Sequence, residues 1–475
     1  MRRRSAGSSR GSCASGTAGR GRFAVPALLI AFAALAVAAG LAPSCIHGGE
    51  TTDAGPAHPV GRAVSFGGPG QEFGQAIATW GSATFLAGRY EGALRLGSTS
   101  FSAPARSAIF VARLDREGVP VWAVSSRGKT SVDVKAMDVD TAGNVYIVGE
   151  FTDKLELGSD THYTPWAEAA FVARLDRAGN WTWSLESSGS SGEPDDIAVR
   201  GDAVYAVGDF GETLEIGSKV VTSTGRRNLF VARMDRGGRV AWLRQGGGAK
   251  NDSARTVTLD SQGNVYIAGQ ISTGATRGSL SLTFPSTRRM YVAAASPDGT
   301  FQRARTYGQG SESPGVYRVS TGPQDKLYVA GNVGAYSPFP GCSLSPYGDT
   351  DAYLVRLDPS DLSVDWCVSA GSGGRDGTRA VAVRSGAAVF AGFSASSVHF
   401  GTLGTVNGSM FLAVASLEGT PLLLEGADGF VRDLALDTSG DLYVTGSFSG
   451  AASLGTTTLK AHGDADIFVW RTRLP

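Results

Sequence analysis

A ten-residue segment that returns along the chain constrains the fold more than any other feature. It reads Asp-Thr-Ala-Gly-Asn-Val-Tyr-Ile-Val-Gly at 140–149, returns almost unchanged at 260–269, and returns in weaker form at 437–446. Its acidic residue, small residues and Gly suit a hairpin turn, and the Val-Tyr-Ile run behind the turn suits a buried strand. One structural unit has therefore been copied along the chain.

The Gly that ends this segment recurs in seven copies. The spacings are 61, 59, 61, 62, 61 and 54 residues between Gly88, Gly149, Gly208, Gly269, Gly331, Gly392 and Gly446. A second landmark, Phe-Val-Ala-Arg-Leu-Asp at 110–115 and 171–176, returns in every copy in exact or degenerate form. A strand with a Trp follows it in four copies, at Trp122, Trp183, Trp242 and Trp366. Four strands per copy and no helical period predict an all-β fold, a seven-bladed β-propeller of four-stranded blades.

The two ends of the repeat region predict how the ring closes. The seventh copy stops at Pro475, directly after its third strand. Before the first copy, the segment 62–66 (Arg-Ala-Val-Ser-Phe) lines up with 122–126, which belongs to a fourth strand. We therefore expect this N-terminal strand to complete the last blade, because an open strand edge would be a template for aggregation.

The N-terminus predicts export. Residues 1–22 hold six Arg and no acidic residue, and an apolar run from Phe23 to Ala42 follows, which is the order of a signal peptide. The segment from Leu41 to Cys45 resembles the lipobox of bacterial lipoproteins, although its Leu stands four residues before the Cys instead of three. A lipid on Cys45 would anchor the protein to the cell envelope, at the outer membrane or the cell surface. A plain signal peptide and an uncleaved membrane anchor stay open as alternatives.

These observations divide the chain into three parts. Residues 1–44 are predicted to be an export signal peptide. Residues 45–59 are rich in Gly, Thr and Pro and are predicted to be a flexible tether. Residues 60–475 are predicted to form the propeller.

The repeated segments resemble those of bacterial β-propeller repeat proteins of the SBBP type. The likeness is carried by the Asp-x-x-Gly-Asn-Val-Tyr cores at 140 and 260, the related core at 437, the Phe-Val-Ala-Arg-Leu-Asp strands and the Trp strands. It covers about residues 60–475 and implies the propeller fold and a lipoprotein of the cell envelope. It does not imply a ligand, since propellers serve as enzymes, binding proteins and scaffolds.

Charge and motif content argue against several functions. Lys plus Arg and Asp plus Glu are equal, at 43 each, so no net charge favours nucleic acid. We read the repeated Asp residues as turn formers, and the five His residues do not recur in register. We therefore expect no catalytic residue, no metal and no cofactor. We also expect a monomer that contacts the membrane only through its lipid.

Candidate site residues lie where the copies differ. Cys342 and Cys367 are predicted to form a disulfide, because an exported protein meets an oxidising compartment. Four arginines in long connections could hold an anionic ligand, with solvated loop charge as the alternative: Arg226, Arg227, Arg288 and Arg289. Trp166 stands outside the register of the other Trp residues and could contact a ligand.

The connections between second and third strands vary most, at 97–107, 158–169, 276–289 and 340–351. We expect them to open on one face around the central channel and to bind a protein, peptide or glycan at the cell envelope. The alternative is an exported polysaccharide lyase or hydrolase with its site at the channel. A convergent set of unlike polar residues at the channel mouth would discriminate between these functions. A scaffold without a discrete site is a third possibility.

Overall fold

The structure is a computed structural model that describes residues 61–474 except 105, 190–191, 273–274, 278–279, 283–288, 309–313 and 335–338. The side chains of 165–167, 275–277 and 280–282 are also outside the description. The predicted signal peptide and tether, with Cys45, lie outside the described residues. Across the described residues we find no helix with the length and apolar character needed to cross a membrane.

The described residues form 38 β-strands and a single 3-10 turn at Pro323–Asp325. Strands β1 to β13 are Arg62–Phe66, Glu72–Trp80, Ala83–Tyr90, Ala93–Leu96, Thr99–Ser102, Ala108–Leu114, Pro120–Ser125, Val132–Val139, Val145–Leu157, Asp160–Leu175, Trp181–Gly189, Gly192–Arg200 and Ala203–Phe210. Strands β14 to β26 are Thr213–Ile216, Lys219–Thr222, Asn228–Asp235, Val240–Gly246, Ser253–Leu259, Val265–Ile271, Ala275–Arg277, Leu280–Leu282, Arg289–Ala295, Phe301–Tyr307, Gly315–Thr321, Leu327–Val333 and Asp351–Leu357. Strands β27 to β38 are Val364–Gly371, Gly377–Arg384, Ala387–Phe393, Val398–Phe400, Thr405–Val406, Met410–Ser416, Pro421–Ala427, Phe430–Leu436, Asp441–Phe448, Ala451–Leu454, Thr457–Lys460 and Asp466–Arg473.

The larger sheets share one plan, in which four antiparallel strands lie in a row. These rows are β2-β3-β6-β7, β8-β9-β10-β11, β12-β13-β16-β17, β18-β19-β22-β23, β24-β25-β26-β27, β28-β29-β32-β33 and β34-β35-β38-β1. We call them units 1 to 7 in this order and number the strands one to four within each unit. The all-β β-propeller fold predicted from the repeat is confirmed.

The fourth strand of unit 7 comes from the other end of the described chain. Strand β1 pairs antiparallel with β38, from Arg62 opposite Arg471 to Phe66 opposite Ile467. Units 7 and 1 also meet at their first strands, where the backbone N–H of Ile77 donates to Asp433 Oδ2 at 3.0 Å.

The turn of the repeated segment has the chemistry that its residue types predict. In unit 2, Asp140 Oδ1 accepts hydrogen bonds from the backbone N–H groups of Ala142 and Asn144 at 2.9 and 3.0 Å. Gly143 has a φ of 82°, a left-handed conformation that Gly adopts at little cost. The prediction that these Asp residues are turn formers is therefore confirmed for this turn.

The Trp residues of the fourth strands link each unit to the next. The indole N–H of Trp183 in unit 2 donates to the carbonyl oxygen of Arg236 in unit 3 at 2.8 Å. The other three make the same bond with the following unit, at carbonyl oxygens of Arg177, Pro297 and Leu417. Trp80 stands outside this register and bonds to Thr141 of the next unit at 3.0 Å. The Trp set is thus explained by packing between units.

Several variable connections form hairpins that rest on the preceding unit, in contrast to the open loops that the sequence predicts. Strand β14 pairs with β11 of unit 2, and β30 pairs with β27 of unit 5. The segment 97–107 contains β5, and 158–169 lies within the β9–β10 hairpin. Their backbone groups are engaged in strand pairing, so these segments are part of the scaffold. Much of 276–289 lies outside the described residues.

Candidate functional site at the channel mouth

Every unit has a β-bulge at the same place in its first strand. At this position one residue is skipped in the pairing with the second strand, and the register shifts by one. The side chain of an unpaired residue in a bulge points in a different direction from the one that regular strand pairing would give it. The seven skipped residues are Gln75, Lys135, Asp195, Arg255, Tyr317, Arg379 and Arg432.

The landmark Gly of each repeat explains why the bulge occurs at the same position in every unit. Gly446 pairs with Val431, the residue directly before Arg432. A Cβ atom on Gly446 would lie 1.9 Å from the carbonyl oxygen of Phe430, which is closer than atoms can approach. The same contact, at 1.9 to 2.1 Å, occurs at the other six landmark Gly residues. The Gly period of the sequence therefore marks the bulges.

The seven skipped residues come together around one cavity of about 240 Å³. Asp133, Val134 and Arg318 complete its lining. The first strands of all seven units line this cavity, which we call the channel mouth. The bulged residues are Gln, Lys, Asp, Tyr and three Arg, whereas the adjacent register positions are largely apolar. This is the convergent set of unlike polar residues that sequence alone could not reveal.

One side of the mouth holds charges that are already paired. Arg255 forms an ion pair with Asp195 at 2.8 Å, and Lys135 forms one with Glu150 at 2.6 Å. Gln75 donates a hydrogen bond to Asp133. Burial raises the pKa of Asp195 to about 7, against the opposing effect of Arg255. Asp195 Oδ2 is buried and has no hydrogen-bond partner within the described part of the chain.

The other side holds two arginines, Arg379 and Arg432, for which we find no acidic partner among the described residues. The guanidinium carbon of Arg379 lies 4.6 Å from the ring centroid of Tyr317, 5.1 Å from that of Phe393 and 5.5 Å from that of Phe430. The corresponding carbon of Arg432 lies 4.8 Å from the Phe430 centroid. Desolvation, and then the charge of Arg379, lower the pKa of Arg432. The charge of Asp133, which lines the same cavity, opposes this shift. Aromatic faces hold the two cations in place.

An ion group adjoins the mouth through Arg318. Arg318 of unit 5 pairs with Asp196 of unit 3 at 2.8 Å and with Asp433 of unit 7 at 3.7 Å. Burial raises the pKa of Asp433, and the charge of Arg318 opposes this shift. A second cavity of about 280 Å³ is lined by all three residues, whereas Arg318 alone of the three also lines the mouth. The ion group therefore links the first strands of units 3, 5 and 7 next to the mouth.

None of the predicted site residues whose side chains are described lines the mouth. Arg227 pairs with Glu193 at 3.0 Å and with Asp209, and burial raises the pKa of Asp209 although Arg227 opposes this. Arg226 is exposed and Arg289 is buried on β22. Arg288 and Cys45 lie outside the described residues, as does the side chain of Trp166. Within the described part of the chain we find no His, Cys, Asp and Glu cluster suited to a metal.

Cys342 and Cys367 are joined by a disulfide in unit 5, with their Cα atoms 6.0 Å apart. Cys342 follows the second strand of the unit, and Cys367 lies on its fourth strand, β27. The long connection before β26 reaches across the unit, so the two Cys residues meet although their strands are not neighbours.

The mouth residues stand at a nearly fixed distance from the landmark Gly of each repeat, which counting the repeats alone does not show. Each stands 13 or 14 residues before a landmark Gly, as Arg379 does before Gly392 and Arg432 before Gly446. The residues that directly follow them include Asp196, Arg318 and Asp433, so an alignment of the copies does not by itself separate the mouth residues from their neighbours.

Comparison with known proteins agrees with the repeat. Residues 241–273 match the model of the SBBP β-propeller repeat. The matched SBBP repeat runs from Trp242 on the fourth strand of unit 3 through the first two strands of unit 4, and it includes the bulged Arg255. The predicted resemblance is confirmed for this repeat. No curated protein matches the chain in sequence.

Solved structures resemble the protein at low identity. Quinohemoprotein alcohol dehydrogenase from Comamonas testosteroni is 10% identical, with a TM-score of 0.46 over 86% of this chain and 76% of that chain. BamB from Moraxella catarrhalis is 13% identical, with a TM-score of 0.40 over 86% of this chain and 100% of that chain. A PL25 ulvan lyase is 10% identical, with a TM-score of 0.43 over 81% and 93%. Likenesses at this level carry no argument about ligand or reaction.

Proposed function

We propose that this protein is a non-catalytic binding protein of the cell envelope. Its channel mouth binds an anionic group of the ligand, which is a protein, peptide or glycan. The observation that carries the proposal is the excess of basic groups at the mouth, where Arg379 and Arg432 have no ion-pair partner among the described residues. Five of the ten lining residues are basic and two are acidic, whereas the whole chain is neutral. Rigid strands hold these groups in place before a ligand arrives, which lowers the entropy lost on binding.

We propose a seven-bladed ring, with β1 completing the last blade, as the frame of this site. Contacts between units 7 and 1 support it. Arg116 of unit 1 pairs with Asp441 of unit 7 at 2.8 Å, and Thr79 donates to the carbonyl oxygen of Leu436 at 2.8 Å. A ring of this kind places all seven bulges at one end of one channel.

A blocking substitution tests the binding function. The purified full-length protein is screened against arrays of glycans and peptides, and each hit is retested with Gln75→Trp, which fills the mouth. Lys219→Trp, at an exposed position on β15, is the matched control. We expect Gln75→Trp to lose the hits that Lys219→Trp keeps. Hits that both variants retain would place the binding surface elsewhere.

A second function, a lyase or hydrolase acting on an acidic polysaccharide, is favoured by Asp195. Its raised pKa of about 7 would let it hold or release a proton at neutral pH, as a general acid or base does. It shares the cavity with Tyr317 and the unpaired arginines. Turnover is tested by incubating acidic polysaccharides with the protein and measuring unsaturated sugars, which a lyase forms, or new reducing ends, which a hydrolase forms. Turnover that Asp195→Asn abolishes would overturn the binding proposal.

We also propose that the protein is exported and held by a lipid on Cys45 at the outer membrane or the cell surface. The support is the order of arginines, apolar run and lipobox-like segment in residues 1–45. Labelling of cells with a fatty acid should mark the wild-type protein and leave Cys45→Ser unmarked. Label on Cys45→Ser, or none on the wild type, would reject the lipid anchor.

A further inference from the structure

We infer that the channel mouth takes one acidic sugar unit at the end of a glycan chain, with its carboxylate or sulfate group between Arg379 and Arg432. This inference rests on the proposed binding function and specifies its ligand. Four observations carry it: the unpaired arginines, their aromatic supports, the polar lining and the small volume.

The two arginines favour an anion more than any other pair of groups at the mouth. Both guanidinium groups contact the ring of Phe430, at 5.5 and 4.8 Å, so two positive charges share one small region. Each raises the free energy of the other, as the effect of Arg379 on the pKa of Arg432 indicates. An anion placed between them relieves this repulsion and forms charge-assisted hydrogen bonds with both groups.

Aromatic rings, and not carboxylates of the protein, surround one of the two arginines. Tyr317, Phe393 and Phe430 lie against the Arg379 guanidinium, and these rings carry no negative charge that neutralises it. The positive charge of Arg379 is therefore left for a ligand to neutralise.

The remaining lining identifies a ligand that is polar on all sides. Val134 is the one aliphatic residue in the lining, and the opposite wall carries Gln75, Asp133 and Asp195. Carboxylates accept hydrogen bonds from hydroxyl groups, and an amide can both accept and donate them. A peptide C-terminus with an apolar last side chain would also satisfy the arginines, but that side chain would need an apolar pocket that this lining does not form. A hydroxylated acidic sugar fits both walls.

The size of the mouth favours the end of a glycan chain over its middle. The volume of the mouth, about 240 Å³, is below the ~300 Å³ at which pockets for drug-sized ligands begin. A cavity of this size has room for one terminal sugar unit and not for a longer stretch of the chain.

Calorimetry with defined sugars tests the ligand. The probes are a tetrasaccharide with glucuronate at its non-reducing end, an isomer with glucuronate only at an internal position, the neutral analogue with terminal glucose, and the analogue with terminal glucose 6-sulfate. We expect the full-length protein to bind the terminal glucuronate or the terminal sulfate at least about tenfold more tightly than the neutral and internal isomers. Comparison of the two charged probes tells carboxylate from sulfate.

Matched arginine variants locate the anion. Arg432→Gln should weaken binding of the charged probe by about tenfold or more, because one charge-assisted contact is lost. Arg177→Gln, which removes an exposed arginine of unit 2, should bind like the wild type. Equal melting temperatures show that both variants fold, and Arg432→Lys, which keeps the charge, should retain part of the affinity.

Two results would overturn the inference. One is equal affinity for the charged and neutral tetrasaccharides, and the other is wild-type affinity in Arg432→Gln. Suppose that the array hits contain no acidic sugar and that Gln75→Trp, which fills the mouth, still loses them. The binding function then stands, and only the assignment of the ligand fails. If no hit depends on the mouth, both fail.

Discussion

Gly392 lies so close to Gly377 that a Cβ atom on Gly392 would stand 2.0 Å from the carbonyl oxygen of Gly377. The two residues belong to neighbouring strands of unit 6, and the bulge that this approach permits re-aims Arg379 towards the channel mouth. A feature of the repeat that serves packing thus also positions a residue of the candidate site.

Gly392→Ala should therefore destabilise the protein, because the backbone of β28 or β29 must move to make room. We expect a loss of more than about 2 kcal/mol in the free energy of unfolding, measured by urea denaturation. Gly373→Ala is the control, since a Cβ there meets nothing within 4 Å. Equal stability of the two variants would show that the close approach does not constrain residue 392.

The disulfide between Cys342 and Cys367 should stabilise the fold. Replacing both with Ser should lower the free energy of unfolding by about 2 to 4 kcal/mol, because the unfolded chain loses a cross-link. A reducing agent should lower the stability of the wild type to a similar extent and leave the double variant unchanged. Mass spectrometry without reduction that finds both thiols free would contradict the bond.

Deletion of Val60 to Gly67 should lower the melting temperature sharply. The deletion removes β1 and leaves β38 with an unpaired edge, since β1 supplies its pairing from Arg62 to Phe66. Differential scanning calorimetry measures the change, and deletion of residues 46–56 from the predicted tether is the control. An unchanged melting temperature after loss of β1 would refute its role in closing the ring.

Glu425 should make the protein less stable as the pH rises from about 4.5 to about 7. Its side chain is 7% exposed, its Oε2 atom has no hydrogen-bond partner in the described part of the chain, and burial raises its pKa to about 7. In this range the unfolded state has lost the proton that the folded state still holds. Stability therefore falls with pH, by at most about 1.4 kcal/mol per pH unit from this group.

Glu425→Gln removes this titration and should be more stable than the wild type above pH 7. The measurement is the free energy of unfolding of both proteins from pH 4 to pH 8, with Glu117→Gln at an exposed position as the control. A difference between wild type and Glu425→Gln that does not change with pH would show that Glu425 does not titrate in this range.

The strands and turns could be predicted from the sequence because their signals are local. The segment from Asp140 to Gly149 contains its own turn and the strand behind it, and Asp140 bonds to backbone groups two and four residues away. The Trp register is also visible in the sequence, and the structure uses it for packing between units. The variable connections could not be placed in this way, because the partner of β14 is β11, on the preceding unit.

The sequence alone determined that the chain is a repeated all-β protein, since the period, the turn residues and the strand composition are properties of neighbouring residues. Only the tertiary structure decided where function is to be sought. Ile77 and Asp433 are separated by 356 residues and form a hydrogen bond across two units, and Gln75 and Arg432 line one cavity for the same reason. Each copy of the repeat contributes one residue at the bulge position, and the residue type mostly differs between copies. These residues form a site only because the first strands of the units line a common cavity.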